Sequence, residues 1–259
     1  MSQPVISLLE FAAGGADEAP AFAWSVPEEP YLAGLRAEYR LDRVVAGAES
    51  DFDAVRAVKA WTRARWEHDG DNEPRRSDPL AILREAEQGK RFRCVEYAIV
   101  LGGALTALGI PARVVGLKMA DCATRERGAG HVVAEAFLRD RQRWVVVDGQ
   151  WDAIPTLDGQ PLNAVEFQRA LALATPGLGV AGFSRDQAED YFAWIAPYLF
   201  YFDVALDNRF GDDRPGYGRD ARLMLVPVGA AAPRVFQRRW PLDDFVYTNS
   251  LRAFYPCPA

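Results

Sequence analysis

The feature that most constrains the fold is the run CVEYAIVLGGALTALGIPARVV, which begins at Cys94. Apolar residues recur at roughly helical spacing between residues 99 and 108, so the run predicts a helix that starts at the cysteine. Gly109 can adopt the left-handed conformation that ends a helix, and Pro111 cannot continue one. A short strand, ARVVGL, is predicted directly afterwards.

The position of Cys94 makes it a candidate nucleophile. Unpaired backbone N–H groups and the positive end of the helix dipole meet at a helix N-terminus, and both favour a thiolate anion. Arg91 and Arg93 add positive charge nearby.

His131 and Asp148 follow in an order that suits acyl-transfer chemistry. His131 begins the apolar strand GHVVAEAFL, and WVVVD ends at Asp148 after the short polar segment RDRQR, which favours an antiparallel hairpin. The carboxylate can then orient one imidazole nitrogen while the other faces the thiol, as in a nucleophile, base and orienter triad.

Three blocks of this segment resemble the transglutaminase-like superfamily of papain-like cysteine enzymes, in its bacterial branch. The blocks are CVEYA from Cys94 with GIPAR from Gly109, then Gly130 and His131 with Glu135, and finally Trp144 with Asp148. The chain departs from the family pattern at Gly149, where proline is frequent, and at Val133, where an aromatic residue is frequent.

The resemblance implies an α+β, papain-like core. In such a core, the helix that begins with Cys94 packs on an antiparallel sheet carrying His131 and Asp148. It also implies a thioester acyl-enzyme formed from a peptide or protein amide, with hydrolysis favoured over amine transfer. The mechanism needs no metal or organic cofactor.

Four further residues are candidates for oxyanion or substrate contact. Trp61 and Trp66 precede the cysteine on a predicted helix, FDAVRAVKAWTRARW, and a tryptophan upstream can assist the oxyanion in the family the chain resembles. A packing role is favoured for both, with the oxyanion role as the alternative. Trp151 follows Asp148 in a loop and is a candidate substrate contact. Glu135 shares the strand face of His131 and is expected to bond a basic partner such as Arg113.

Two other functions remain open on the sequence alone. One is a catalytically silent peptide- or protein-binding module of the same fold. The other is a thiol enzyme such as an arylamine acyl carrier, which acetyl-CoA consumption would distinguish. A metal site at His68 is not expected, because the acidic residues after it lack the spacing of a calcium loop and no paired cysteines lie nearby.

The composition limits the range of partners and compartments. A net charge of −6 and a pI near 5.1 disfavour nucleic acid as a partner. The first 20 residues lack a basic start and a convincing cleavage site, and their apolar stretch is too short for a membrane span. With three irregularly spaced cysteines, these features predict a cytoplasmic protein with no membrane partner. The sequence does not indicate an oligomeric state.

Three regions are predicted along the chain: an N-terminal extension (1–48), a catalytic core (49–157) and a C-terminal helical and strand region (158–259) packed on it. Helices are expected at PYLAGLRAEYRL and LNAVEFQRALALA, and a strand at ARLMLVPVG. The aromatic-rich segment RDQAEDYFAWIAPYLFYFDVAL is expected to form one longer helix broken at Pro197. Its aromatic side chains are expected to be core rather than cleft wall.

Overall fold

The computed structural model describes residues 6–14, 20–214 and 217–258. The helices are α1 (Pro30–Glu38), α2 (Leu41–Val44), α3 (Asp51–Arg63), α4 (Pro79–Glu87), α5 (Cys94–Ala107), α6 (Ala164–Ala172), α7 (Arg185–Ile195) and α8 (Leu251–Phe254), with a 3-10 helix at Ala196–Tyr198. The strands are β1 (Ala23–Trp24), β2 (Ala112–Lys118), β3 (Gly130–Leu138), β4 (Arg143–Val147), β5 (Pro155–Leu157), β6 (Gln160–Pro161), β7 (Leu178–Val180), β8 (Tyr201–Ala205), β9 (Asp207–Asn208), β10 (Arg222–Leu225), β11 (Val235–Phe236), β12 (Trp240–Pro241) and β13 (Phe245–Thr248). Residues 1–5 and 15–19 of the predicted N-terminal extension, and residues 215–216 and 259 of the predicted C-terminal region, lie outside these residues.

A six-stranded sheet in the order β13-β10-β8-β2-β3-β4 forms the middle layer. Its neighbouring strands are antiparallel, except that β10 and β13 run parallel. The predicted hairpin of β3 and β4 is confirmed, with Glu135 opposite Val146. The predicted fold class is likewise confirmed: an α+β core in which the helix that begins with Cys94 packs on an antiparallel sheet.

Helix α5 is the centre of one face of this sheet. All its residues after Cys94 are buried, as expected for a helix that is apolar around its whole circumference. Helices α1, α3 and α4 pack against it on one side, and β2 and β3 pack against it on the other. Gly109 has a φ of +81°, which confirms the predicted helix end.

The opposite face of the sheet is covered by the C-terminal region. Helices α6 and α7 pack there against Val133 of β3, Val146 of β4 and Phe202 of β8. Strands β3 and β4 therefore have apolar neighbours on both faces, and the hairpin they form lies between two helical layers.

The prediction of one long helix over residues 185–206 is wrong beyond Ile195. The helix ends there, Pro197 lies in the 3-10 turn, and YFDVA forms strand β8 between β2 and β10. Asp203 explains why sequence periodicity fails here. It is fully buried in β8 and pairs with Lys118 of β2 and with Arg222 of β10, whose Nε lies 2.6 Å from Oδ1. Its partners come from neighbouring strands, so tertiary pairing overrides the local pattern.

The other predicted elements are present with shifted ends. The segment at 30–41 forms α1 and the start of α2, the segment at 162–174 forms α6, and the strand at 221–229 is confined to 222–225. Helix α4 was not predicted. Its signal is the pair Asp78 and Pro79, since the Asp78 side chain accepts the Ala81 N–H at 3.0 Å and Pro79 occupies the first turn.

The sheet is continuous across residue 157, because β8, β10 and β13 extend the sheet that β2, β3 and β4 begin. The division of the chain into a core at 49–157 and a region at 158–259 therefore stays a prediction about domains. Over the ranges that the structure describes, no helix has both the length and the apolar character needed to cross a membrane.

Candidate functional site

Cys94 is the first residue of α5, and the residues around it define where the helix begins. The buried Glu96 carboxylate accepts the backbone N–H of Arg93 at 3.0 Å and the Arg93 guanidinium at 2.8 Å. Burial raises the pKa of Glu96, and Arg93 opposes that shift. This closed turn holds the half-buried thiol of Cys94 at the helix N-terminus, where anions are favoured.

His131 and Asp148 lie side by side at the end of the β3–β4 hairpin. His131 Nε2 is 2.7 Å from Asp148 Oδ2, and both side chains are buried. Since the carboxylate occupies Nε2, Nδ1 is the ring nitrogen left to face a reacting group.

The pKa of His131 depends on two neighbouring groups, Asp148 and Cys94. Burial alone would lower the pKa of the imidazole, but the Asp148 charge and then the charge and hydrogen bond of the Cys94 sulfur raise it from 6.5 to about 10. The imidazole therefore holds a proton at neutral pH next to the sulfur. Of the sequence-predicted residues, the structure thus brings Cys94, His131 and Asp148 together.

The turn after Asp148 holds that carboxylate in place. Its Oδ1 accepts the backbone N–H groups of Gln150 at 3.0 Å and Trp151 at 3.1 Å. Gly149 sits against α5, where an added Cβ would lie 3.2 Å from Tyr97 Cβ. The glycine at this departure from the family pattern therefore has a packing reason, because a larger residue would push the turn away from the helix.

Lys59 of α3 fixes the same turn from the other side, and the sequence analysis did not identify it. Its buried ammonium donates to the Asp152 carbonyl at 2.5 Å and pairs with Asp152 Oδ1 at 3.1 Å. Burial lowers the pKa of Lys59, and Asp152 opposes that shift. A lysine within an amphipathic helix gives no sequence signal for this contact, because the partner is 93 residues away.

Glu135 lies four residues from His131 but in a separate hydrogen-bonded centre. Its Oε2 accepts from Arg113 Nε at 3.1 Å and Nη2 at 2.7 Å, so the predicted bond to Arg113 is present. Its Oε1 accepts the Ala164 N–H at 2.9 Å and the Tyr255 hydroxyl at 3.0 Å. With both oxygens occupied inside the protein, the structure does not bring Glu135 to the thiol.

The two upstream tryptophans pack on the α5 side of the molecule. Trp61 is partly exposed and meets Tyr39 edge-on, with ring centroids 5.9 Å apart. Trp66 is buried against Tyr97 of the first α5 turns at 4.5 Å. Within the part of the chain that the structure describes, the Trp66 Nε1–H has no acceptor. Of these two, Trp66 is therefore the one with an uncommitted donor near the start of the cysteine helix.

Two aromatic side chains, Trp194 and Tyr198, lie beside His131. Trp194 meets the imidazole edge-on at 4.8 Å, and Trp151 packs on Trp194 at 4.9 Å. Tyr198 lies 6.1 Å from the imidazole, and burial followed by the charge of Cys94 raises its pKa. The aromatic segment predicted as core thus also borders the site, through partly exposed rings.

Tyr191 of α7 contacts the site itself, although the sequence gives little sign of it. Its hydroxyl donates to Asp148 Oδ2 at 3.2 Å from the opposite side of the sheet. Burial, and then the Asp148 charge, raise its pKa well above the ordinary value. The one available signal was that residues 191, 194 and 198 share a helical face, which does not reveal a carboxylate 43 residues earlier.

The two loops that border the site are bonded to the rest of the molecule. The segment between β2 and β3 is tied to the β11–β12 hairpin by the Gln237 N–H, which donates to the Cys122 carbonyl at 2.7 Å. The turn at 148–153 is closed by paired backbone bonds between Asp148 and Ala153 at 2.9 and 3.0 Å. Among residues 6–14, 20–214 and 217–258, no three His, Cys, Asp or Glu side chains converge in a way that could hold a metal ion.

The comparisons with known proteins concern mainly the region that carries this site. Residues 39–149, somewhat under half of the chain, match the family described as the transglutaminase-like superfamily. No curated protein sequence matches the chain.

Several solved structures resemble parts of the chain. A candidate cysteine protease from Cytophaga hutchinsonii aligns at 17% identity and a TM-score of 0.37, over 46% of this chain and 38% of that one. A TGase aligns at 21% identity and a TM-score of 0.34, over 46% of this chain and 31% of that one. A red sea bream transglutaminase aligns at 15% identity and a TM-score of 0.35, over 65% of this chain and 31% of that one. The alignments span about a third of the length of these proteins.

Proposed function

We propose that the chain is a cysteine enzyme that acts on amide bonds of a peptide or protein, because residues 39–149 match the transglutaminase-like superfamily. Cys94 is the nucleophile, His131 the acid and base, and Asp148 the group that orients His131. The observation that carries the proposal is the 2.7 Å bond between His131 Nε2 and Asp148 Oδ2, which leaves the second ring nitrogen for the sulfur.

The proposed reaction has two halves. In the first, the Cys94 thiolate attacks the amide carbonyl, and the protonated His131 gives its proton to the leaving amine, which leaves a thioester on the sulfur. In the second, His131 takes a proton from water as the water attacks the thioester, and the acid product and the thiolate are released. The pKa of about 10 at His131 supports the first half, since the imidazole is protonated before the amide arrives.

We assign the main oxyanion contact to the backbone N–H of Cys94. The N–H groups of the first helical turn have no intrahelical acceptor, so this donor is free to meet the developing charge. Trp66 and Trp151 each carry an indole N–H without an acceptor among the described residues, so each can supply a second donor if the site opens around a substrate.

Hydrolysis is the proposed outcome because no feature of the described site marks a binding place for an acceptor amine. We propose a cytoplasmic location because the three cysteines are free thiols in the structure, as is usual in a reducing compartment. Peptide or protein substrates are proposed on the superfamily alone.

The first test compares the three thiols. Iodoacetamide alkylation is followed by mass spectrometry as a function of pH in the wild-type protein and in His131→Ala. We expect Cys94 to react at pH 6, where the exposed Cys257 reacts slowly, and to lose that advantage in the variant. Cys122 should react least, since burial raises its pKa to about 11.

The second test is activity toward a mixture of unrelated peptides, followed by mass spectrometry for amide cleavage or deamidation. Cys94→Ala should abolish the activity, whereas the matched variant Cys257→Ala should retain it. Equal activity in wild type and Cys94→Ala, with equal alkylation of Cys94 and Cys257, would overturn the proposal and favour the silent binding module.

A further inference from the structure

Tyr191 completes the set of groups that hold the Asp148 carboxylate. A carboxylate offers about four lone-pair positions. Two are used by backbone N–H groups at Oδ1, and Oδ2 accepts from His131 Nε2 at 2.7 Å and from the Tyr191 hydroxyl at 3.2 Å. The carboxylate therefore cannot rotate toward or away from His131 without breaking a bond to Tyr191.

The phenol is itself held by packing rather than by the bond it makes. Tyr191 is 1% exposed. Its ring lies parallel to that of Phe167 at 6.2 Å and contacts Trp151 at 5.7 Å. The position of the hydroxyl is thus set by how α7 packs on the sheet. The C-terminal region therefore contributes to the site from outside residues 39–149.

We infer that Tyr191 is a positioning residue that fixes Asp148 against His131 and moderates how strongly the carboxylate holds the imidazole proton. This inference rests on the proposed function. A donated hydrogen bond takes up part of the negative charge of the carboxylate, which weakens its hold on a neighbouring cation. The same bond keeps the orienting oxygen in line with Nε2 when the proton leaves His131.

The molecule offers a matched control at a second buried carboxylate, Glu135. Tyr255 donates to Glu135 Oε1 at 3.0 Å, so it also bonds a buried carboxylate through its hydroxyl. Glu135 has no bond to His131 among the described contacts. Removing each hydroxyl in turn, as Tyr191→Phe and Tyr255→Phe, makes the same chemical change at a site that includes the imidazole and at one that does not.

The titration of His131 can be observed directly, because the chain has only two histidines. Histidine-labelled protein is titrated by NMR from about pH 6 to pH 11, with His131→Asn used to assign the two signals. The titratable or charged groups around the pair are Lys59, His68, Cys94, Tyr191 and Tyr198. Wild type and Tyr191→Phe share all of these groups except the Tyr191 hydroxyl. A difference between their His131 midpoints therefore reports the effect of that hydroxyl.

We expect Tyr191→Phe to raise the His131 midpoint by about half a pH unit, because the full carboxylate charge then faces the imidazolium. Tyr255→Phe should leave the midpoint unchanged. In an Asp148→Asn background, Tyr191→Phe should have no further effect on His131, which a general loosening of the fold would not predict. Equal midpoints in wild type and Tyr191→Phe, or equal shifts in Tyr191→Phe and Tyr255→Phe, overturn the inference.

Kinetics separate this inference from the proposed function. With a cleaved peptide in hand, Tyr191→Phe should lower kcat about 3- to 10-fold with KM unchanged, and the alkaline limb of its pH profile should move with the NMR midpoint. If the NMR shift is present but no amide is cleaved by the wild type, the proposed function fails and the positioning role stands. If the wild type cleaves amides but Tyr191→Phe leaves the His131 midpoint unchanged, the proposed function stands and the positioning role fails.

Discussion

Two buried carboxylates on the β3–β4 hairpin are held by almost the same kinds of partner. Asp148 accepts backbone N–H groups, a tyrosine hydroxyl and the imidazole of His131. Glu135 accepts a backbone N–H, a tyrosine hydroxyl and the guanidinium of Arg113. They differ in the cation, since an imidazolium can give up its proton and a guanidinium keeps it.

The surroundings of the cations reinforce that difference. The Arg113 guanidinium lies among the rings of Trp144, Phe254 and Tyr255 at 4.4 to 4.9 Å and also donates to the Phe254 carbonyl at 2.7 Å. His131 has aromatic neighbours too, but Asp148 occupies only one of its two ring nitrogens. One arrangement of donors can therefore serve as a permanent brace or as a proton-handling site, according to whether its cation can titrate.

The largest effect should come from Asp148→Asn. The amide cannot stabilise an imidazolium and favours the wrong tautomer, so amide cleavage should fall by about 10³- to 10⁴-fold. The unfolding free energy should drop by only about 1–2 kcal/mol, because His131 can become neutral. Peptide-cleavage kinetics and urea unfolding measure the two quantities. Unchanged turnover in Asp148→Asn would show that the Asp148 centre does not handle a proton during cleavage and so does not differ in this way from the Glu135 centre.

Glu135→Gln should have the opposite profile. Its amide N–H group would face the buried Arg113 charge, which has no neutral form to adopt, so we expect a loss of about 3–5 kcal/mol in unfolding free energy. Once folded, the variant should show the wild-type pH dependence of Cys94 alkylation. If Glu135→Gln shifted that dependence as strongly as Asp148→Asn, the two centres would not be separable.

The Asp148–His131 centre should also make the stability of the protein depend on pH from neutral to alkaline conditions, whereas the Glu135–Arg113 centre should not. The pKa of His131 is raised from 6.5 to about 10, so the stabilisation from its charged form is complete below pH 6.5 and is lost as the pH rises through 10. Between pH 6.5 and pH 10, the unfolding free energy of the wild-type protein should fall by on the order of 1–3 kcal/mol more than that of Asp148→Asn. Urea unfolding at a series of pH values tests this, and parallel curves for the two proteins would contradict it.

The smallest effect should come from the glycine beside Asp148. Gly149→Ala puts a methyl group 3.2 Å from Tyr97 Cβ, and we expect a loss of about 1 kcal/mol as the turn that donates to Asp148 moves. Gly179→Ala is the control, since the nearest atom to its added methyl group is the Thr156 hydroxyl at 3.9 Å. Thermal unfolding compares them, and equal losses would show that the contact with α5 does not matter.

Local patterns in the sequence were sufficient for the elements that depend on neighbours in the chain. The apolar run after Cys94 predicted α5, and Gly109 predicted its end, because a helix pattern and its terminator lie within a few residues. The short segment between GHVVAEAFL and WVVVD predicted the hairpin and hence the approach of His131 and Asp148. The α+β class was implied by the resemblance of these blocks to the transglutaminase-like superfamily.

Only the tertiary structure decided the features that join distant residues. The segment of strand β8 was predicted as helix. It forms a strand because Asp203 bonds to Lys118 and Arg222, which come from two other strands. Tyr191 and Lys59 hold the Asp148 turn from 43 and 93 residues away along the chain, and neither carries a local signal for its partner. Periodicity reports which face of an element is buried, whereas the partner on that face is chosen by how the layers pack.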